Sequence, residues 1–259
     1  MSKRRILVLL AALVPAFACA KVVTRTVEYT VDKHVMKGYL AYDDAAKEQR
    51  PGVLVVPEIL GLNEYARRRT RELAQMGYVA FAADMYGDGR TTDDPKQAEA
   101  WSKSIGATPL ALALRAKPGL DTLRKQPQAD PERLAAIGFC FGGTTVLQLA
   151  YAGAHLRGVA VFHGGLIAPD SDQSHRIRAA MLILNGADDP FIKPEVVDAM
   201  RKSLDAVHVD WVMATYGHAK HGFTNPDVDK YHVPGVAYER RAEHRAWAAM
   251  KAFLAEQLK

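Results

Sequence analysis

Cys140 lies in Gly138-Phe139-Cys140-Phe141-Gly142-Gly143, between the apolar run LAAIGF (134–139) and a segment with helical spacing. The pattern is Gly-x-Ser-x-Gly with cysteine in place of serine, the signature of a tight strand-to-helix turn that presents one nucleophilic side chain. Such a turn strains its central residue and needs small neighbours, which Gly138 and Gly142 supply. A thiol at a helix N-terminus is favoured as the thiolate by the helix dipole. The chemistry suggested is attack on a carbonyl, with the Phe141 backbone N–H aimed at the oxyanion that forms. The alternative, a core cysteine buried between glycines, is disfavoured by the strand-turn-helix context.

Catalysis of this kind needs a base and a group that orients it. Asn185-Gly186-Ala187-Asp188-Asp189-Pro190 follows another apolar run, and its Gly-x-x-Asp spacing favours Asp189 as the acid, with Asp188 a turn residue. Tyr216-Gly217-His218-Ala219-Lys220-His221-Gly222-Phe223 offers two histidines late in the chain, His218 and His221. Taken singly, an acidic loop or a loop histidine is ordinarily just solvated. Nucleophile, acid and histidine in that order, each just after an apolar run, are far more specific together.

Parallel sheets bind ligands outside the carboxyl ends of their strands, so these residues require strands behind them. The runs at 52–57 (GVLVVP), 79–83 (VAFAA), 134–139, 158–162 (GVAVF) and 180–185 (AMLILN) are short and continuously apolar, as strands buried on both faces are. Helical spacing is predicted over 64–76, 93–103, 110–125, 144–152, 194–204 and 238–258, with a further strand over 207–216. Two antiparallel strands, 22–31 and 34–42, come first, joined at Asp32-Lys33. The expectation is an α/β fold: a mostly parallel central sheet flanked by helices on both faces, N-terminal antiparallel strands, no large lid domain and no internal repeat.

The 259 residues fit one domain of the larger α/β kind, and 49% apolar with 24% charged residues is an ordinary globular balance. Residues 1–20 read differently. Lys3, Arg4 and Arg5 precede an apolar run from Ile6 to Phe17, and Ala18-Cys19-Ala20 offers a small-x-small cleavage pattern before Lys21. That run is shorter than the roughly 20 residues a bilayer span needs. The reading is a signal peptide, 1–20, removed from a single domain, 21–259, that is periplasmic or secreted in a bacterium. Its loss takes the formal charge from +5 to +2, leaving no electrostatic case for nucleic acid or for stable membrane association. It also takes the cysteines from two to one, so Cys140 is either buried filler or a reactive thiol.

On the elbow 138–143, on Asp189-Pro190-Phe191-Ile192 and on His221-Gly222-Phe223, the chain resembles the dienelactone hydrolase family of α/β-hydrolases, from roughly Val27 to the C-terminus. The cysteine at the elbow is that family's specific mark, and the resemblance selects His221 over His218. Pro57-Glu58-Ile59-Leu60-Gly61-Leu62-Asn63 is a fourth match. It implies that Glu58 pairs with the resting thiol and acts as a local base, and that the Ile59 N–H is the second oxyanion donor. Asp84-Met85-Tyr86 fits the family's strand-end pattern. The departures concern the substrate: the family's carboxylate-holding arginines align with Asp88 and Asn225, with Arg90 nearby as a substitute for one. The fold and the triad carry over; an anionic dienelactone does not.

The resemblance implies hydrolysis of a small ester or lactone through a Cys140–His221–Asp189 triad and a thioester acyl-enzyme. The chain has no H-E-x-x-H or C-x-x-C spacing, so no metal or organic cofactor is implied, and the protein is expected to act as a monomer. Candidate pocket residues are Tyr86, Arg90, His163 and Asn225, although His163, before Gly164-Gly165, also reads as a structural histidine. Arg67-Arg68-Arg69 with Arg71 reads as a solvated helix face, and Trp101, Trp211 and Trp247 as core. Two rival roles remain for the chain: a redox thiol that reacts with peroxide or forms mixed disulfides, and a binding module that has lost turnover. Neither has a use for the complete set of Cys140, Asp189 and His221.

Overall fold

A computed structural model describes residues 21–259; the signal-peptide reading of 1–20 lies outside the described residues. The first two strands, β1 (Val22–Val31) and β2 (His34–Asp43), pair antiparallel across the turn Asp32-Lys33, both of whose residues take positive φ. A turn of that hand matches the twist of the strands it joins. β2 also pairs antiparallel with β4 (Val79–Ala82). From there the ladder is parallel: β4 with β3 (Arg50–Val56), β3 with β5 (Ala129–Phe139), then β6 (Gly158–Phe162), β7 (Ala180–Gly186) and β8 (Trp211–Tyr216). The eight strands lie in the order β1-β2-β4-β3-β5-β6-β7-β8.

Parallel neighbours need crossover connections, and the helices that supply them cover both faces. On one face α1 (Glu64–Gln75) and α7 (Arg240–Gln257) set Leu73, Met250 and Leu254 in a core with Val53, Val55 and Ile137. On the other, α3 (Pro109–Arg124), α4 (Phe141–Tyr151) and α6 (Pro194–Asp205) set Leu120, Leu147 and Met200 in a core with Leu54, Val56 and Ala136. Successive residues of β3 from Val53 to Val56 therefore enter opposite cores, which is why that stretch is continuously apolar. Each fully buried valine or leucine contributes about 1.5–3 kcal/mol, so the centre of the sheet is the firm base from which the loops project.

Several boundaries differ from the sequence expectation. β5 begins at Ala129, five residues early, because Ala129 and Asp130 pair with Arg50 and Pro51 before the register shifts at Gly52 and residues 131–133 bulge out. α4 begins at Phe141 rather than at 144, and β8 begins at Trp211 rather than at 207. α2 (Pro95–Ile105) starts after the Asp94 cap, with Pro95 in its first turn. A six-residue helix, α5 (Ser171–Arg176), opened by an Asp170–Gln173 capping box, is too short to show a period in the sequence. No helix among the described residues is long and apolar enough to cross a membrane.

Candidate active site

Cys140 is the single residue between β5 and α4, with φ 53° and ψ −118°, a conformation that L-residues rarely adopt. Backbone packing on both sides enforces it. A Cβ on Gly138 would lie 2.0 Å from the Gly142 carbonyl oxygen, and one on Gly142 would lie 2.1 Å from the Val56 carbonyl oxygen. The Cys140 N–H donates to the Phe162 carbonyl (3.0 Å) and to His163 Nδ1 (3.2 Å), tying the turn to the end of β6. Because α4 starts at 141, its positive end stands directly beside the sulfur.

Asp189 sits on the loop after β7 and His221 on the loop after β8. His221 Nε2 is 3.0 Å from Cys140 Sγ, and its Nδ1 is 2.9 Å from Asp189 Oδ2. Asp189 is buried, and its other oxygen accepts the Phe191 N–H at 2.9 Å. The Phe191 ring stands edge-on to the imidazole, 5.1 Å between centroids. Burial alone would lower the His221 pKa, but the Cys140 sulfur and the Asp189 carboxylate outweigh it and raise the value from 6.5 to about 10. The competing candidates Asp188 and His218 are both exposed. The structure thus brings Asp189 and His221 to the thiol and leaves the other two out.

Glu58 and Ile59 follow β3. Glu58 is 6% exposed and accepts a 2.7 Å hydrogen bond from Asn225 Nδ2. Its burial drives the pKa from 4.5 up to about 7, against the opposing effects of Asn225 and His221. The pairing of Glu58 with the resting thiol, implied by the resemblance, is not the arrangement found: His221 occupies the sulfur and Asn225 the carboxyl. The physical reason is that a buried carboxyl needs a hydrogen-bond partner, and the Asn225 amide supplies one. The Ile59 carbonyl accepts the Tyr86 hydroxyl at 2.8 Å, which fixes that residue beside the elbow. Among the described residues, neither the Ile59 nor the Phe141 N–H has a protein acceptor. Glu58, Ile59, Cys140 and His221 open on one cleft of about 470 Å³, counting the solvent at its mouth, whose remaining walls are mainly apolar.

The other candidate pocket residues are consumed by protein partners, and none lines that cavity. Tyr86 is buried, stacked on Phe141 at 6.3 Å and packed against Trp101, so it supports the wall from behind. Arg90 is exposed, donates to the Tyr86 and Gly87 carbonyls and lies over the Trp101 ring. Asn225 is buried behind Glu58. Asp88, exposed on its turn, faces Lys37 at 3.8 Å. His163 is fully buried, and burial holds its pKa well below the usual value, so the ring is neutral. Since Nδ1 accepts from Cys140, Nε2 carries the proton and donates to Thr224 Oγ1 at 2.8 Å.

That bond leads into a network the motifs did not disclose. Thr224 Oγ1 is 2.7 Å from the Tyr65 hydroxyl, and Arg69 donates to the Thr224 carbonyl (3.0 Å) and to Glu243 (2.7 Å). Arg69 is buried, its guanidinium near the rings of Tyr65 and Trp247, so the expectation of a solvated arginine run fails at this position. The available signal was helical phase: Tyr65, Arg69 and Leu73 are four apart and share one face of α1.

A sheet in this order, with a thiol, a carboxylate and an imidazole on the loops after β5, β7 and β8, is the architecture of an α/β-hydrolase. Among solved structures the chain is similar to the protein called m3DLH, at 41% identity and TM-score 0.88 over 92% of this chain and 99% of that one. It is likewise similar to a dienelactone hydrolase-like promiscuous phosphotriesterase from metagenomic libraries, at 37% identity and TM-score 0.89 over 92% and 99%. A Synechocystis protein provisionally named a carboxymethylenebutenolidase is 29% identical over 241 residues, 86% of this chain and 92% of its own length. The dienelactone hydrolase family model matches residues 36–258, and the chain belongs to that family of hydrolases.

Proposed function

We propose that this protein hydrolyses small esters or lactones by acyl transfer through Cys140. The observation that carries the reading is the unbroken run of contacts from Cys140 Sγ through both nitrogens of His221 to Asp189. Cys140 attacks the substrate carbonyl carbon as the thiolate, its proton held by His221, and the Phe141 and Ile59 N–H groups hold the oxyanion. Collapse expels the alkoxide, which takes the proton from His221 and leaves a thioester on Cys140. Neutral His221 then removes a proton from water, hydroxide adds to the thioester, and the acid departs as the thiolate–imidazolium pair is restored. Asp189 holds the imidazole through Nδ1 and stabilises its cationic form. With His221 on the sulfur and Glu58 on Asn225, His221 is the base for the thiol, and Glu58 adds a titrating charge to the cavity wall. Slow hydrolysis of a thioester favours lactones and activated esters over amides.

Turnover of p-nitrophenyl acetate and cis-dienelactone by wild type, Cys140→Ala and Asp189→Asn tests this. The alanine variant should lose at least ~10³-fold in kcat/KM. Asp189→Asn should lose turnover while Cys140 still reacts with iodoacetamide. Full activity in Cys140→Ala would end the reading. No turnover by folded, reduced wild type with an alkylatable Cys140 would move a redox or binding role to the front. A relative named as a promiscuous phosphotriesterase makes a neutral phosphotriester a useful third substrate.

The basic and apolar composition of residues 1–20 supports a further proposal, export with removal of that segment, so that the protein works in the periplasm or outside the cell. Fractionation of a bacterial host should find a protein whose mass begins at Lys21; a full-length chain confined to the cytosol would contradict export.

A further inference from the structure

The cavity over Cys140 is walled by Ile59, Leu60, Pro95, Val228, Val233 and Val236, and no lysine or arginine lines it. Its one carboxyl group, Glu58, is fixed against rotation by the 2.7 Å bond from Asn225. Among the cations of the surrounding segments, Lys230 is exposed 3.5 Å from Asp93, Arg90 is bonded to two backbone carbonyls over Trp101, and Arg69 is buried between Glu72 and Glu243. An anionic group entering this space would lose part of its hydration, meet His221 only as a cation already shared between Cys140 and Asp189, and lie beside the Glu58 carboxyl group. The lost hydration and the ionised carboxyl group each raise its free energy. An uncharged acyl chain would instead displace water from aliphatic walls, which is favourable.

From this wall chemistry we infer that the site selects neutral, compact, apolar acyl groups and rejects acyl groups that carry a carboxylate. The inference rests on acyl transfer at Cys140 and names the substrate class for that chemistry. Glu58, held by Asn225, is the specificity-determining charge, and the aliphatic rim around Val233 offers no cation to bind a carboxylate.

The test compares two esters of one shape, mono-p-nitrophenyl adipate and its methyl-capped diester, each rate being divided by that for hydroxide. At pH 8.5, where Glu58 is ionised, wild type should prefer the neutral diester in kcat/KM by about 100-fold, the ratio expected for a like charge close by in a partly desolvated site. Val233→Arg, on the half-buried rim, should shift the ratio toward the anion by tenfold or more, and Glu58→Gln should shift it the same way whatever happens to the absolute rates. Equal or faster hydrolysis of the anionic ester by wild type would overturn the inference and leave acyl transfer standing. So would poor hydrolysis of both adipates alongside good hydrolysis of p-nitrophenyl acetate, because bulk rather than charge would then decide. Failure on all three esters would remove the acyl-transfer reading itself.

Discussion

Glu58 is a carboxyl group kept where ionisation is costly: burial raises its pKa from 4.5 to about 7. The unfolded chain loses this proton near 4.5, so between those values the folded state binds more protons and stability falls as pH rises through the window. The whole shift corresponds to a loss on the order of 3 kcal/mol. Glu58→Gln removes the ionisation and keeps an acceptor for the Asn225 amide. His221, Arg69 and Asp227, whose charges act on Glu58, are the same in both proteins. Relative to wild type, the variant should therefore gain stability between pH 5 and pH 8, measured as urea midpoints; a constant or reversed difference would contradict the burial account. At this scale the sequence was informative where a residue follows a strand and sits in a motif, as Cys140, Asp189 and His221 do. It pointed to Asn225 as a pocket residue and not as the partner of Glu58, a carboxyl 167 residues away. Nothing in local spacing could report that contact.

The elements place these residues by close backbone approach. The elbow exists because α4 and the end of β3 come nearer at Gly142 than any side chain would permit. It is further held by His163 at the end of β6, which joins the Cys140 N–H to Thr224 and Tyr65. His163→Phe keeps an aromatic ring but removes both hydrogen bonds, and should cost about 1–3 kcal/mol of stability. Because the ring positions the nucleophile without lining the cavity, kcat should fall with KM little changed; a pure rise in KM would place His163 in the binding wall instead. The strands were legible because burial on both faces makes them continuously apolar. The start of α4 was not, since Gly142 and Gly143 are poor helix formers whose presence is dictated by packing. The first residues of β5 were hidden by Asp130-Pro131, which reads as a turn and is accommodated as a bulge.

Across the whole molecule, the site face is braced by Arg69, which links α1 near the start of the parallel sheet to α7 at its end. Removing one partner of a buried ion pair is more damaging than replacing both. Glu243→Gln leaves Arg69 with Glu72 and an amide acceptor, so it should cost about 1–3 kcal/mol, and more than Arg69→Met combined with Glu243→Leu; urea denaturation of the three proteins gives the order, and the reverse order would show the pair to be dispensable. The architecture as a whole was readable from alternating apolar runs and helical stretches, but this brace was not, because a run of arginines ordinarily marks a solvated face. The fold, the site and the proposed chemistry meet in a single intermediate. Wild-type protein mixed with p-nitrophenyl acetate, quenched in acid within one turnover and mapped by peptide mass spectrometry, should carry one acetyl group on Cys140, formed with the burst of nitrophenolate. Turnover with no adduct on Cys140, or with the acetyl group on another residue, would contradict acyl transfer through this thiol.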